Sequence, residues 1–236
     1  MKALLLAAGL GTRLRPITNT IPKCLVPIHG FPLLGYWFDL LFAAGFERVL
    51  VNTHYFSESV ERFVATNRWR EQIDLVFEEN LLGTGGTVKN NVSFFAGEAG
   101  LVAHADNLSR FDVAAFLARH RVRPSLAEIT MMTFDTDAPK SCGIVEEDRD
   151  GLVQAFHEKS SNPPSCRANG AVFVFEPSVF DFICQLEKDH IEISTDVLPR
   201  FLGRICTFLN NDYHRDIGTP EGLALAEREF SRGVAV

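Results

Sequence analysis

The chain predicts an α/β fold built on a mixed, mostly parallel sheet, and three observations carry that reading. Through the first half, short apolar runs alternate with stretches of three- and four-residue hydrophobic spacing, the pattern of successive βαβ units. The earliest run, residues 3–8, leads at once into Gly9 and Gly11, a glycine turn at a strand's end. Beyond about residue 125 the pattern changes to short strands and turns, which reads as an extension of one sheet and not as a second domain with its own linker.

The elements run in order. Residues 3–8 are an unbroken apolar run, as expected for a strand buried on both faces. Pro16, Pro22 and Pro27 hold the next segment extended up to a helix that opens at Pro32, the favoured first helical position, and stops before Gly45. Leu33, Leu34, Trp37, Phe38, Leu41 and Phe42 recur at three and four residues along it, a core-facing stripe. Residues 48–53 are a second strand, 57–65 a helix capped by Ser57, 73–77 a third strand, and 101–104 a strand whose end carries Asp106. Later strands are expected at 128–134, 143–146, 153–157 and 171–175, with a turn at Asp148-Arg149-Asp150-Gly151, and helices around 178–186, 195–202 and 220–230. In open α/β sheets ligands bind beyond the carboxyl ends of the strands, so the glycine turn and Asp106 are expected to face one crevice.

Composition narrows the function classes. Of 236 residues 46% are apolar, yet no run approaches the twenty or so needed to span a bilayer. The first eight residues could pass for a signal segment, but Gly9, Gly11 and Arg13 stand where a cleavage site would begin. The five cysteines are odd in number and form no C-x-x-C pair, which argues against a disulfide framework or a zinc site and points to a reducing cytoplasm. A formal charge of −7 without a long basic run disfavours nucleic acid or a membrane surface as partner, while leaving room for a small basic pocket.

Glycines after a strand let backbone N–H groups approach phosphate oxygens. A dinucleotide fingerprint would need glycine at position 14, which is Leu14, and Pro16 obstructs an immediate helix. No G-K-[ST] comes after the loop, so a P-loop is not supported. The continuation is more specific. Leu6, Gly9, Gly11, Thr12, Arg13, Leu14, Pro16 and Thr18, and after them Pro22, Lys23, Leu25 and Pro27, match L-x-x-G-x-G-T-R-L-x-P-x-T and P-K-x-L-x-P. The segment thereby resembles the signature of the sugar nucleotidylyltransferases.

That resemblance implies the Rossmann-like, three-layer α/β/α fold of nucleotide-diphospho-sugar transferases, and an enzyme that transfers a nucleotidyl group from a nucleoside triphosphate to a sugar 1-phosphate with Mg²⁺ as cofactor. It implies a catalytic set of Arg13, Lys23 and Asp106. An arginine's planar fork suits the leaving pyrophosphate, and a lysine's compact charge suits the reacting phosphates. Leu82-Gly83-Thr84-Gly85-Gly86-Thr87, after Glu78, is similar to the family's L-G-T-A-G segment against the nucleobase, with Gly85 where alanine is common. The implied nucleotide contacts are Leu6, Ala8, Gly9, Gly11, Thr12, Arg13, Lys23, Glu78, Gly83 and Thr84. Asp106 and Asp216, in segments that resemble G-D and D-I-G-T-P, are the implied metal ligands, with Ala105 in place of glycine. A hard cation held by one or two carboxylates and phosphate oxygens fits phosphoryl chemistry. His104 is read as structural or as a support for its neighbours.

Phe156-His157-Glu158-Lys159 and Ala168-Asn169-Gly170-Ala171 resemble F-x-E-K-P and N-x-G, with Ser160 in place of proline. Gly143, Glu158, Lys159 and Asn169 are thus the implied sugar contacts. The whole chain, 1–236, reads as a single domain, with a nucleotide-binding half at 1–125 and a sugar-binding half at 126–236. Val51-Asn52-Thr53-His54-Tyr55 together with the second glycine cluster is most similar to mannose-1-phosphate guanylyltransferases and related heptose-1-phosphate enzymes, and GTP with mannose 1-phosphate is the expected pair, in nucleotide-sugar and polysaccharide biosynthesis. Heptose-1-phosphate guanylyl transfer and uridylyl or thymidylyl transfer to glucose 1-phosphate stay open. Of a different class is a silent sugar-nucleotide sensor, against which the retained Arg13, Lys23, Asp106, Lys159 and Asp216 speak. A homodimer through the Phe-rich helices is left open, because core packing explains the phenylalanines equally well.

Overall fold

The computed structural model describes residues 1–230; residues 231–236 of the expected second half lie outside the described residues. The chain opens with β1 (Lys2–Leu6), the two-residue strands β2 (Pro27–Ile28) and β3 (Phe31–Pro32), and α1 (Leu33–Ala43). Next come β4 (Arg48–Thr53), α2 (Ser57–Ala65), β5 (Ile73–Phe77), α3 (Gly83–Asn90), β6 (Gly100–His104), β7 (Asn107–Arg110) and α4 (Val113–Arg121). The second half adds β8 (Ile129–Asp135), β9 (Gly143–Glu147), β10 (Val153–Glu158), β11 (Arg167–Phe175), α5 (Pro177–Gln185), β12 (Ile205–Leu209), β13 (Tyr213–Asp216) and α6 (Pro220–Glu229).

A nine-stranded sheet runs β10-β9-β11-β6-β1-β4-β5, with β8 paired to β11 and β12. Only β10 and β11 run against the other strands, which makes the sheet mixed but mostly parallel. Side chains alternate across a strand. Accordingly Ala3 and Leu5 pack with α1, α2 and α4 on one face, while Leu4 and Leu6 pack with α3 and α5 on the other. Helices on both faces give three layers. Trp37 and Phe38, both in the stripe read from the sequence, are almost wholly buried, and burial of each stabilises the layer by about 1.5–3 kcal/mol.

Several local expectations change. Ser57 is the first helical residue of α2 and not its cap; Phe56, in the left-handed region at φ 53, precedes it and no side chain caps the end. The helix expected at 195–202 is a π turn, Ile193–Val197, and then a 3₁₀ turn, Leu198–Arg200. The strand expected at 171–175 begins earlier, at Arg167, and carries a bulge between Asn169 and Phe173. Pro32 does not open α1 but ends β3 with extended backbone, and the helix begins at Leu33; unforeseen elements are β2, β3, α3, α4, β7, β12 and β13. Glycine disfavours helix by about 1 kcal/mol per residue, and α3 nevertheless forms because Ile191 O accepts from both Gly85 N (2.7 Å) and Gly86 N (3.2 Å).

Candidate active site

The parallel strands β1, β4 and β6 end side by side, and the site is assembled from the residues just beyond those ends. Ala7 N, just past β1, donates to Asn52 Oδ1 at 2.6 Å, locking the mouth of the glycine loop to β4. Gly11 has φ +61, and a Cβ there would strike Thr18 Cγ2 at 2.9 Å, so the turn requires glycine. Thr18 Oγ1 closes the loop on Gly11 O at 2.7 Å. The 3₁₀ turn Thr12–Leu14 buries Leu14 and leaves Arg13 exposed. A second such turn, Lys23–Leu25, instead buries its lysine.

Asp106 lies just past β6, where Ala105 N continues the ladder to Leu6 O at 3.0 Å. Asp216 arrives from the other end of the chain. β13 pairs antiparallel with β7 in a register that sets Asp216 opposite Asn107, the neighbour of Asp106. Gly218 N donates to Asp216 Oδ1 at 2.7 Å and fixes that carboxylate. Lys23 Nζ lies between the two, 2.9 Å from Asp106 Oδ2 and 2.8 Å from Asp216 Oδ1, while Arg13 Nη2 is 3.2 Å from Asp216 Oδ2. Two cations thus meet two anions.

Burial is the largest single influence and works to raise both carboxyl groups, but the Lys23 charge and hydrogen bond, joined by His104 at Asp106 and by Arg13 and Gly218 N at Asp216, together outweigh it and hold each below its ordinary value. Burial likewise works to lower Lys23, and the two aspartates reverse that. Both carboxylates therefore stay ionised at neutral pH. They already converge on one cation, and hard oxygen donors of this kind suit a divalent ion whose remaining positions are filled by phosphate and water. The sequence-derived pair Asp106 and Asp216 fits that role. Among the described residues no group of three or more His, Cys, Asp or Glu side chains forms a complete cage, so substrate oxygens would have to complete the coordination.

Beside these carboxylates lies a cavity of about 210 Å³ bordered by Leu6, Ala8, Gly9, Glu78, Gly83, Thr84 and Asp106, all singled out from sequence. Gly11, Thr12, Arg13 and Lys23 stand outside its wall, on the loop and turns described above. Asn52, Thr87, His104, His190 and Glu192 also border it, and residue pattern alone gave none of them a contact. Asn52 Nδ2 donates to Glu78 Oε1 (3.1 Å) and Thr87 Oγ1 (3.2 Å), which orients the buried Glu78 carboxylate. Thr84 Oγ1 donates to Glu192 Oε2 at 2.7 Å and accepts from Ile193 N at 2.8 Å, and Glu192 Oε1 lies 2.9 Å from His190 Nε2. The segment 190–193 therefore straps the start of α3. A Cβ on Gly85 would meet Ile191 Cγ2 at 2.5 Å, which accounts for glycine where the family commonly has alanine.

The remaining residues singled out from sequence lie on β9, β10 and β11. Gly143 pairs with Glu158, and a Cβ there would come within 2.9 Å of Glu158 Oε2. Lys159 is left-handed at φ 48, exposed, with Nζ 3.6 Å from Glu158 Oε1. Asn169 Oδ1 accepts from Ala171 N at 2.8 Å and so shapes the β11 bulge. A Cβ on the next residue, Gly170, would approach His214 Cε1 at 3.7 Å, which sets the bulge against the strand that carries Asp216.

His214 has no role legible in the sequence. Its Nδ1 lies 2.7 Å from Ser109 Oγ, and its ring is 4.3 Å from that of Phe134. Burial pushes it down to about 4, and His104 is lowered for the same reason. Both rings are uncharged at neutral pH and add no positive charge to that of Arg13 and Lys23 beside the aspartates. The Cys24 thiol, pushed up to about 12 chiefly by burial, is no nucleophile.

A glycine loop, two ionised aspartates, a buried lysine and an adjoining cavity thus lie together beyond the ends of β1 and β6, an arrangement suited to phosphate-bearing ligands. Residues 2–232 match the nucleotidyl transferase family. The chain is 34% identical over 238 residues to the mannose-1-phosphate guanylyltransferase of Mycobacterium tuberculosis, covering 99% of this chain but only 65% of that relative's length. It is 31% identical to the D-glycero-alpha-D-manno-heptose 1-phosphate guanylyltransferase of Campylobacter jejuni, covering 94% of this chain and 96% of the relative. Among solved structures, HddC from Yersinia pseudotuberculosis complexed with GMP-PN superposes with a TM-score of 0.81 at 25% identity, covering 98% of this chain and 99% of that one. With the family matched over nearly its whole length, the chain belongs to the nucleotidyl transferases.

Proposed function

We propose that the protein transfers a nucleotidyl group from a nucleoside triphosphate to a sugar 1-phosphate, with GTP and mannose 1-phosphate as the pair and Mg²⁺ as cofactor, in the cytoplasm. The observation that carries this reading is the convergence of Asp106, Asp216, Lys23 and Arg13 beside the glycine loop. A phosphate oxygen of the sugar 1-phosphate attacks the α-phosphorus in line. The new P–O bond forms as the bond to the β-phosphate oxygen breaks, and pyrophosphate leaves with the electron pair. The attacking oxygen is already anionic, so the protein's task is positioning and charge neutralisation. Arg13, exposed at the mouth, is free to move with the leaving pyrophosphate; Lys23 meets the reacting phosphates; Lys159 neutralises the sugar phosphate. Asp106 and Asp216 would hold Mg²⁺, which supplies charge stabilisation at the phosphates when bound.

Glu78 supports guanine. The Watson–Crick edge of guanine offers two adjacent donors, N1–H and N2–H, whereas uracil and thymine offer one donor between two acceptors. A buried carboxylate accepts only, and Asn52 holds this one in place. Relatives named as guanylyltransferases favour the same base. Heptose 1-phosphate is the second reading of the sugar, favoured by the Campylobacter relative whose length the chain nearly fills. Pyrophosphate release with Mg²⁺, measured for GTP, UTP, dTTP, CTP and ATP against mannose, glucose and heptose 1-phosphates, tests the proposal. A preferred guanylyl pair is expected; silence across the matrix from folded protein overturns it.

A further inference from the structure

We propose that Lys23 is a positioning residue as well as a phosphate contact: in the nucleotide-free protein its ammonium stands where a divalent cation would bind between Asp106 and Asp216, so that metal binds with the nucleotide and not before it. The inference rests on the metal role proposed above for the two aspartates.

The carboxylates come from elements remote in sequence, and in the absence of a cation between them they would repel. Lys23 supplies that cation from within the chain. Its side chain is only 5% exposed. Its Nζ donates to one oxygen of each carboxylate. Arg13 contacts the other oxygen of Asp216. A divalent cation at this place would lie within a few ångströms of an ammonium and a guanidinium while competing for the same oxygens. The free protein is therefore a poor metal binder, although its ligands are already assembled.

An anion resolves the conflict. A triphosphate on the glycine loop offers Lys23 and Arg13 new partners, and a lysine's flexible four-carbon stem lets the ammonium shift while its backbone stays put. The backbone is well anchored, because Pro22 precedes the 3₁₀ turn and Cys24 and Leu25 are buried beside it. Metal and nucleotide then bind with positive coupling, each raising the other's affinity by the same factor. Direct coordination of the metal by phosphate oxygens couples the two ligands in any case, so the share owed to Lys23 is the share lost when its charge is removed.

The test is Mn²⁺ binding, measured by calorimetry and by the electron paramagnetic resonance signal of the free ion, with no turnover involved. Without nucleotide, Lys23→Met and Lys23→Gln are expected to bind Mn²⁺ about tenfold or more tightly than the unsubstituted protein, since a positive charge beside the ion is gone. The glutamine variant keeps an amide donor for the carboxylates and serves if the methionine variant does not fold. Adding Asp106→Asn to Lys23→Gln is expected to abolish the gain. A non-hydrolysable GTP analogue is expected to tighten Mn²⁺ binding to the unsubstituted protein far more than to Lys23→Gln. Equal Mn²⁺ affinity of all three nucleotide-free proteins overturns the proposal. If Asp106→Asn still weakens Mn²⁺ binding in the nucleotide complex, the metal reading survives that result; if it has no effect there, the metal reading itself fails.

Discussion

Lys23 and Asp216 are 193 positions apart in sequence and 2.8 Å apart in space. The contact joins the turn beyond the glycine loop to the strand β13, and it brings a cation and an anion from opposite ends of the chain to one point. Asp216→Asn keeps the amide oxygen that accepts from Gly218 N but removes the charge. Sugar-dependent pyrophosphate release is expected to fall by about 100-fold or more, as for the loss of one electrostatic group at a reacting phosphate, with the circular dichroism spectrum unchanged. Full turnover at saturating Mg²⁺ would contradict the assignment.

Glu78 is predicted to set the base preference. Glu78→Gln replaces an acceptor-only group with one that also donates, which suits a pyrimidine edge better than guanine. The loss of a charged hydrogen bond, worth about 1.5–3 kcal/mol, translates to roughly a 10- to 100-fold fall in kcat/KM for GTP. The ratio of kcat/KM for GTP to that for UTP is the readout. An unchanged ratio would remove Glu78 from base recognition.

Gly85→Ala sets two effects against each other. Alanine gains about 1 kcal/mol of helix propensity over glycine. Its methyl carbon, however, would fall 2.5 Å from Ile191 Cγ2 and 3.2 Å from Ile191 O, and overpacking of this kind costs about 1–3 kcal/mol. The clash wins because the backbone oxygen cannot move without losing its bonds to Gly85 N and Gly86 N. A melting temperature lower by about 2–8 °C is expected. Adding Ile191→Ala is expected to recover part of the loss, and a stabilised single variant would refute the packing argument.

His120 is predicted to make stability depend on pH. Its Nδ1 lies 2.7 Å from Thr130 Oγ1 and its Nε2 2.9 Å from Glu176 Oε1, which also takes Arg123 at 2.6 Å. Burial, reinforced by Arg123, lowers the ring below its ordinary value despite Glu176. The unfolded chain therefore binds a proton near pH 6.5 that the folded chain resists. Stability is full above that pH and declines as pH falls below about 6.5. The urea midpoint is expected to drop between pH 7.5 and 5.5, and to drop less in His120→Gln. His104 and His214, lowered in the same direction, add to the drop. A midpoint that holds level over this range would speak against buried neutral histidines.

Much of the fold was legible because local pattern and tertiary role agreed. Arg48–Thr53, Ser57–Ala65 and Ile73–Phe77 occur with the limits read from hydrophobic spacing. Where the two disagreed, reading failed. Leu108 is the only apolar residue of β7 and Tyr213 the only one of β13, so neither alternates as a half-buried strand should. These strands exist because each completes the other's backbone hydrogen bonds. The start of α3 is glycine-rich and reads as a turn until Ile191 and Glu192 arrive to cap it.

The sequence by itself marked out the glycine loop and the core-facing stripe of α1, which depend on residue type and short-range spacing, and its resemblance to a family implied Arg13, Lys23, Asp106 and Asp216 as site residues. Tertiary structure alone decided that Asp216 stands beside Asp106 with Lys23 between them, that Asn52 orients Glu78, and that residues 190–193 wall the cavity. The physical reason is the range of the forces involved. Propensity and periodicity act over a few residues and are written locally, whereas a charge cluster or a strap is fixed by register between strands and by buried side chains whose partners lie some 50 to 200 positions away.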